Sequence, residues 1–479
     1  MTMALNAVCL RFWALVGILS NVVIAIQVDW TSEASVKSAA SSVAYDMMTY
    51  YTGNVSGEYN IPGMLPASPA YYWWESGAMW NALIDYWHIT GDSTYNDVTT
   101  QGLLFQVGPY QDFMPPNQSK QLGNDDQGFW GFAAMTAAEY NFPDPPPAQP
   151  QWLALAQAVF NEYVNRWAEA SDSCGGGLKW QIYSFNAGYD YKNAIANGCF
   201  FSLGARLARY TNNNTYAKWA TTVWDWTDQT GLVDKDYNVF DGTDDSEYSS
   251  NGVYQNCTLI NHLQYSYNPA VWLLGAANMY NSTIGAEQVL WKNRIDGLLS
   301  QAVTVFAAKG SGIFVEITCE NQTPTTCTTD MLIFKGILCR NMAAAAKLAP
   351  WIADNVTDII QTNAQAAAQQ CSGGPNGRTC GFKWAMTSTW DGTNGAGQQM
   401  SALNAIMNTR ILHVQASAPV TNSTGGTSTG NNDAGNTNTA SGPLLQQKAI
   451  TQWDRVGAGI ITSIVLVIAV GSMWWMISD

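Results

Sequence analysis

Charge is scarce in this chain. Of its 479 residues only 12% are charged, and 36 acidic residues outnumber 21 basic ones, giving a formal net charge of −15. So few cations argue against nucleic acid, which is held by basic patches. Histidine is scarcer still, at His88, His262 and His413. There is no H-E-x-x-H and no G-x-S-x-G, so metalloprotease and serine-hydrolase readings find no support. No C-x-x-C occurs, which leaves no zinc or redox motif. Asp244, Asp245 and Glu247 lack EF-hand spacing and read as a solvated acidic loop rather than a calcium site. Nothing calls for a metal or cofactor. Linkers are also missing: no stretch between 27 and 419 is long enough to split the chain, because Pro-rich 142–150 is short.

Aromatic residues are plentiful, with 21 Trp and 22 Tyr. Sugar rings stack on aromatic faces, and the polar ends of Trp and Tyr can hydrogen-bond hydroxyls. For any single Trp, core packing is the stronger reading. Helical periodicity dominates the body, at 35–51, 75–90, 95–108, 127–140, 151–169, 193–210, 216–230, 267–279, 285–308, 330–348, 355–370 and 397–413. The best strand pattern is 313–318. The class is therefore all-α, and paired helices suit a barrel of hairpins, although periodicity does not separate that from a bundle or solenoid.

The two ends follow a different logic. Arg11 precedes an apolar run, 12–26, and Val23-Ile24-Ala25 suits cleavage, so 1–25 reads as a secretory signal. The body of the chain, 26–419, follows as one domain. Residues 420–442 are rich in Ser, Thr, Asn and Gly, the composition of a flexible stalk. Residues 443–479 join a polar spacer to an apolar tail, the pattern of a GPI-attachment propeptide, with Asn438 or Ser441 as candidate attachment points. A retained membrane span is the competing reading, weakened by the missing basic flank. Eight cysteines remain beyond Cys9, an even number suited to disulfides, with Cys319–Cys327 and Cys371–Cys380 the shortest loops. Sequons stand at Asn54, Asn117, Asn213, Asn256, Asn281, Asn321, Asn355 and Asn422. Together these features describe a glycosylated, secreted cell-surface protein held by a GPI lipid in the plasma membrane or the wall.

The most informative segment is Gly123-Asn124-Asp125-Asp126-Gln127-Gly128-Phe129-Trp130. Adjacent carboxylates between a polar loop and a helix can act as caps. They can also divide the work of glycoside hydrolysis, because neighbouring like charges keep one acid protonated while the other ionises.

The wider pattern resembles the glycoside hydrolase family 76 α-1,6-mannanases, and within them the fungal GPI-anchored "defective cell wall" and "defective filamentous growth" branch. Tyr72-Trp73-Trp74-Glu75-Ser76-Gly77, the Asp-Asp segment, Cys174-Gly175-Gly176-Gly177-Leu178-Lys179-Trp180 and Lys192-Asn193-Ala194-Ile195-Ala196-Asn197-Gly198 carry the likeness. Val239-Phe240-Asp241-Gly242, Tyr265-Ser266-Tyr267-Asn268, Phe334-Lys335-Gly336, Trp390-Asp391-Gly392 and Gln399-Met400-Ser401-Ala402-Leu403 continue it in order. The resemblance implies an (α/α)6 barrel and retaining chemistry on α-1,6-linked mannose. Asp125 would be the nucleophile and Asp126 the general acid/base. Asp241 would contact the reacting sugar; Trp73, Trp74, Trp130, Lys192, Asn193, Tyr267 and Asn268 would line the cleft. Where the family often has Tyr-Asn-Gln-Gly, this chain has Tyr267-Asn268-Pro269-Ala270, so a subsite contact can differ. Cys199 looks like a branch-specific disulfide position. The acceptor implied is water or a β-glucan hydroxyl, the latter joining GPI proteins to wall glucan. A silent glycan-binding wall protein and a plain secreted mannanase are the alternatives.

Overall fold

The structure is a computed structural model that describes residues 25–435, with breaks at 56–60, 67–70, 172, 247–255, 323–324, 386–388 and 414–417, and also residues 462, 463, 465 and 466. The expected signal as far as residue 24, the candidate attachment residues Asn438 and Ser441, Glu247 and nearly all of the tail lie outside the described residues.

The helices are α1 (Glu33–Met48), α2 (Trp73–Thr90), α3 (Asn96–Phe105), α4 (Asn124–Glu139), α5 (Trp152–Glu169), α6 (Ala194–Thr211), α7 (Asn214–Thr230), α8 (Tyr267–Ser282), α9 (Gly285–Phe306), α10 (Met331–Leu348), α11 (Ala353–Gln370) and α12 (Ala396–Asn408). Each predicted helix is present, with ends displaced by a few residues. The even-numbered helices pack in sequence, α2 on α4, α4 on α6, and so on to α12, which returns to α2. The odd-numbered helices lie outside this ring against their neighbours, completing an (α/α)6 barrel.

The sequence explains the two layers. An inner helix is covered on every side, so it is apolar nearly all round. In α4 every residue from Gln127 to Glu139 is buried, and Ala343–Ala346 of α10 are buried together. Outer helices keep one wet face: α7 buries Tyr216, Ala220, Val223, Trp224 and Thr227, which recur at three and four residues. Close approach within the ring needs glycine at two contacts. A Cβ on Gly128 would sit 2.6 Å from Cys199 Cβ, and one on Gly336 would sit 2.5 Å from Ser401 Cα.

Consecutive inner helices, each reached through an outer one that runs back, point the same way. Their N-termini gather at one end of the barrel. A three-stranded antiparallel sheet, β1 (Tyr191–Asn193), β2 (Gly242–Asp244) and β3 (Ile260–Asn261), covers part of that end. At the opposite end, buried Arg206 and Arg340 donate to Thr136 Oγ1 and pair with Glu139 at 2.6 Å and Asp85 at 2.5 Å. That network ties α2, α4, α6 and α10 together. A removed partner would strand a buried charge, the costly way to break such a pair.

Three expectations are corrected. Residues 313–318 form no strand: Phe314 makes one isolated bridge to Ala307, and the rest turns towards α10. Cys199 forms no disulfide; it is a free, buried thiol packed against Gly128, as Cys339 is free elsewhere. The disulfides are Cys174–Cys257, Cys319–Cys327 and Cys371–Cys380; the last joins a short hairpin, β4 (Cys371–Gly373) and β5 (Thr379–Cys380). The supposed stalk is, as far as residue 435, a strap laid on the barrel. Ser428 Oγ accepts from Leu153 N–H, the Gln157 amide donates to Asn432 and accepts from Asn431 N–H, and Asn161 donates to the carbonyls of Asn432 and Ala434. Gln and Asn side chains on α5 supply the partners that a polar, glycine-rich segment cannot supply for itself. The sequon asparagines are all exposed or half-buried.

Ending the chain at 419 should therefore destabilise the barrel. We expect the midpoint of thermal unfolding to lie several degrees below that of a chain ended at 435. Equal midpoints would show that the strap contributes nothing.

Candidate active site

Asp125 and Asp126 occupy the first turn of α4, and three contacts fix that turn. Gly123 precedes the helix in extended conformation, and its N–H donates to Asp126 Oδ2 at 2.6 Å. Asn124 N–H donates to Trp180 O at 2.8 Å, stitching the turn to the chain before β1. Trp180 Nε1 donates to Asp125 Oδ2 at 3.0 Å, while Asp125 Oδ1 is buried with no hydrogen-bond partner among the described residues. The two carboxylates are therefore held but incompletely solvated.

They open into a cleft of about 420 Å³. Its floor is aromatic. Tyr267 stacks on Phe334 with ring centres 3.8 Å apart, and Trp74 lies against Phe129 at 4.6 Å. Tyr72 and Trp180 form exposed rims. Two more carboxylates face inward, Asp241 and Asp330. Asp241 Oδ2 accepts from Tyr191 OH at 2.7 Å and from Asn261 Nδ2 at 3.1 Å. Apolar walls with a few converging polar groups are the usual make-up of a small-ligand site.

Electrostatics set this cleft apart. Burial raises Asp125 well above the usual carboxylate range; the adjoining Asp126 raises it further, and the Trp180 N–H opposes. Burial likewise lifts Asp126 to about 7, opposed by the Gly123 N–H and helped by Asp330. Such neighbours titrate as a unit, and the pair keeps at least one proton up to neutral pH. Asp241 is also raised, by burial, against the hydrogen bonds from Tyr191 and Asn261. Glu75, in the first turn of α2, is fully buried and held well above its ordinary value by burial, then by Asp330.

The structure brings together Asp125, Asp126, Asp241, Trp74, Asn193 and Tyr267 in the cleft. Asn193 also caps α6 through Ala196 N–H. Four expected cleft residues are instead internal. Trp73 and Trp130 stack on each other at 4.6 Å, and their indole N–H groups go to Gln106 Oε1 and Trp73 O. Lys192 is fully buried, and its ammonium donates to the carbonyls of Ala170, Ser173 and Gly176. Asn268 is fully buried within α8. Alternate residues of a helical turn point to different faces, so Trp74 reaches the cleft while Trp73 reaches the core. Asp245, read as solvated, is buried and accepts from Lys179 Nζ at 2.8 Å and Ser173 Oγ at 2.5 Å. His262 packs edge-on to Phe240 and does not line the cleft.

Sequence reading missed Gln121, Gln181, Tyr191, Asp330 and Met331, while Tyr72 opened a recognised segment without an assigned role. Phe129, Trp180, Tyr265 and Phe334 stood inside recognised segments without an assigned role. Asp330 carries the same local signal as the Asp125–Asp126 pair, an acidic residue just ahead of an apolar helix. Among the described residues, no three His, Cys, Asp or Glu side chains are grouped as metal ligands would be.

The model of glycosyl hydrolase family 76 matches residues 35–423. The chain belongs to this family. It is 42% identical to mannan endo-1,6-alpha-mannosidase DCW1 of Saccharomyces cerevisiae, over 95% of each chain. It is 39% identical to mannan endo-1,6-alpha-mannosidase DFG5 of the same yeast, over 95% of this chain and 94% of that one. Dfg5 from Chaetomium thermophilum, crystallised with glucosamine, superposes with a TM-score of 0.78 at 46% identity, covering 86% of this chain and 97% of that one. An inactive variant of an α-1,6-mannanase from Salegentibacter, bound to α-1,6-mannotriose, shares the fold at a TM-score of 0.59 and 18% identity, covering 79% and 99%. This family-76 barrel is thus a glycosidase fold with its acidic pair at the centre of the cleft.

Folding Asp126 into this site disfavours its charged form, so ionising it costs stability. That cost is absent below about pH 4, where the unfolded chain is also protonated. It grows as the pH rises and is complete above about 7. Asp126→Asn removes the charge while its amide oxygen can still cap Gly123. We expect the variant to match the native protein in thermal unfolding at pH 4 and to exceed it at pH 7.5 by several degrees, on the order of 4 kcal/mol. A loss at pH 7.5 would contradict the burial argument.

Proposed function

We propose that this protein cleaves α-1,6-linked mannose with retention of configuration and passes the mannosyl group to a β-glucan hydroxyl, so joining GPI-anchored proteins to the cell wall. The carrying observation is the Asp125–Asp126 pair: two carboxylates on one helical turn, partly desolvated, sharing protons near neutral pH and open to an aromatic cleft.

The chemistry follows in two steps. Asp125 attacks the anomeric carbon while Asp126 gives its proton to the departing glycosidic oxygen, leaving a mannosyl ester on Asp125. Asp126, now a carboxylate, takes the proton of the incoming hydroxyl, and that oxygen displaces Asp125. The N–H of Trp180 sits on the Asp125 oxygen whose charge is lost and regained. Asp241, braced by Tyr191 and Asn261, presents a carboxylate to sugar hydroxyls. Trp74, Tyr267 and Phe334 offer flat faces to the ring.

The names of the yeast relatives support the bond and the sugar. Glucosamine in the Chaetomium protein favours a donor of the GPI-core type, and an exported, lipid-held enzyme would meet such donors at the cell surface. A silent binding protein would have no need of a desolvated acidic pair, which works against binding by destabilising the site. A secreted mannanase would use the same residues with water as acceptor.

The test is product analysis by mass spectrometry. Residues 26–435 are incubated with an α-1,6-mannose GPI-core fragment, with and without a β-glucan oligosaccharide. We expect a mannosyl–glucan conjugate only in the second tube. Free mannoside in both would make the enzyme a hydrolase, and intact donor in both would refute the reading. Asp125→Asn and Asp126→Asn should each lower turnover at least about 10³-fold without unfolding the barrel. Activity should fall as the pH rises past about 7, where the pair begins to lose the proton that Asp126 must donate.

A further inference from the structure

The catalytic pair has a buried support that neither the family likeness nor the cleft accounts for. Arg166 projects from the last turn of α5 and is buried. One of its terminal nitrogens, Nη1, donates to Asn124 Oδ1 at 2.8 Å and to Gln127 Oε1 at 2.5 Å. These amides belong to the residues on either side of Asp125 and Asp126. The other, Nη2, donates to Glu162, one turn back on α5. Gln127 Nε2 returns to Glu162 Oε2 at 3.0 Å and to Asp112 O at 2.6 Å. Tyr163 OH donates to Asn124 O at 2.5 Å, and Asn124 Nδ2 donates to Lys179 O at 2.9 Å. None of the residues of this cluster lines the cleft.

We propose that Arg166 is a positioning residue for the reaction: it clamps Asn124 and Gln127 from behind, and so sets the direction and separation of the Asp125 and Asp126 carboxylates. The geometry favours this over simple core filling. An apolar side chain could fill the space, but only a planar fork reaches both flanking amides while bound to Glu162. The first turn of a helix has unsatisfied N–H groups and frays readily. Here that turn must hold two partly desolvated carboxylates that repel each other when ionised. The clamp opposes the rotation that would separate them and admit water. Glu162 balances the guanidinium charge, so the clamp acts through shape rather than through a field on the pair.

The proposal rests on the glycosidase reading, and the experiment separates the two. Arg166→Gln, Arg166→Lys, Asn124→Ala and Tyr163→Phe are compared with the native protein on α-1,6-mannotetraose. Circular dichroism and thermal unfolding establish which variants are folded. In Arg166→Gln we expect kcat to fall about 100-fold with KM within about threefold, the mark of lost orientation rather than lost binding. Arg166→Lys, which keeps the charge but not the fork, should recover less than a tenth of native kcat. Tyr163→Phe, which loses a single hydroxyl, should lose about three- to tenfold.

The basic limb of the pH profile supplies a second readout. Groups facing the pair are Glu75 of α2, Tyr163 of α5, Cys199 of α6, Tyr267 of α8 and Asp330 at the start of α10. None is changed in Arg166→Gln or Asn124→Ala, so a downward move of the limb in either would report a loosened, wetter pair. Folded variants with kcat within threefold and an unmoved limb would overturn the proposal. Should Arg166→Gln fail to fold, Asn124→Ala and Tyr163→Phe decide by the same criteria. Should the native enzyme not turn over the mannoside, the glycosidase reading fails by itself. The clamp is then judged by carboxyl-13C aspartate NMR titration of the same variants, where unchanged titration of the pair refutes it.

Discussion

Six inner helices running in one direction are the constraint on which the rest of this structure depends. The hairpin path makes them parallel, so their partial charges add: positive at the end where they begin, negative where they finish. Charged residues are distributed to match. Glu75, Asp125, Asp126 and Asp330 stand in or just before first turns. Arg206 and Arg209 stand near the end of α6, and Lys347 near the end of α10. A carboxylate poor in solvent is expensive anywhere, but least so where helix N-termini converge. The barrel thus provides one end at which several acids can be gathered in a small volume, and the cleft lies there.

Desolvation then does chemical work. Among the described residues neither carboxylate is neutralised by a cation; the contacts on the cleft side are N–H groups from Gly123 and Trp180. Hydrogen bonds of this kind orient a carboxylate without pinning it in the ionised form, as an arginine would. The guanidinium that does lie close is turned away, towards Asn124, Gln127 and Glu162. Keeping the charge on one side of the turn and the protons on the other leaves Asp126 free to give up a proton and take one back, as the proposed double displacement requires.

Much of the fold was legible in the sequence because burial on all sides leaves a long apolar helix with little ambiguity, and the outer helices alternate with polar faces. The Asp-Asp pair was legible because charge is so rare in this chain that two adjacent acids ahead of an apolar helix stand out. Side-chain direction was not legible. Trp73 and Trp74 differ by one residue, and only the packing of α2 on α4 sends one inward and the other to the cleft. Lys192 looked like a cleft cation but is consumed by three carbonyls of a loop closed by Cys174–Cys257. Asp330 and Tyr191 enter the cleft from segments far apart in sequence, so no local pattern could place them beside Asp126 and Asp241. The β-branched pattern at 313–318 suggested a strand, but among the described residues it has no neighbouring strand to pair with, and Glu316 turns inward to accept from Ser266.

The strap along α5 changes what an anchored form of this enzyme could reach. A free stalk of some twenty residues would let the cleft roam roughly 70 Å from its attachment point. With the chain docked to residue 435, only five residues separate it from the candidate attachment residue Ser441, a leash of about 20 Å. On the proposed anchorage the barrel would ride close above the lipid, sweeping a thin layer rather than a volume. Donors would be selected by height: a glycan presented near the bilayer would meet the cleft at high effective concentration, while the same linkage deep in the wall would be out of range.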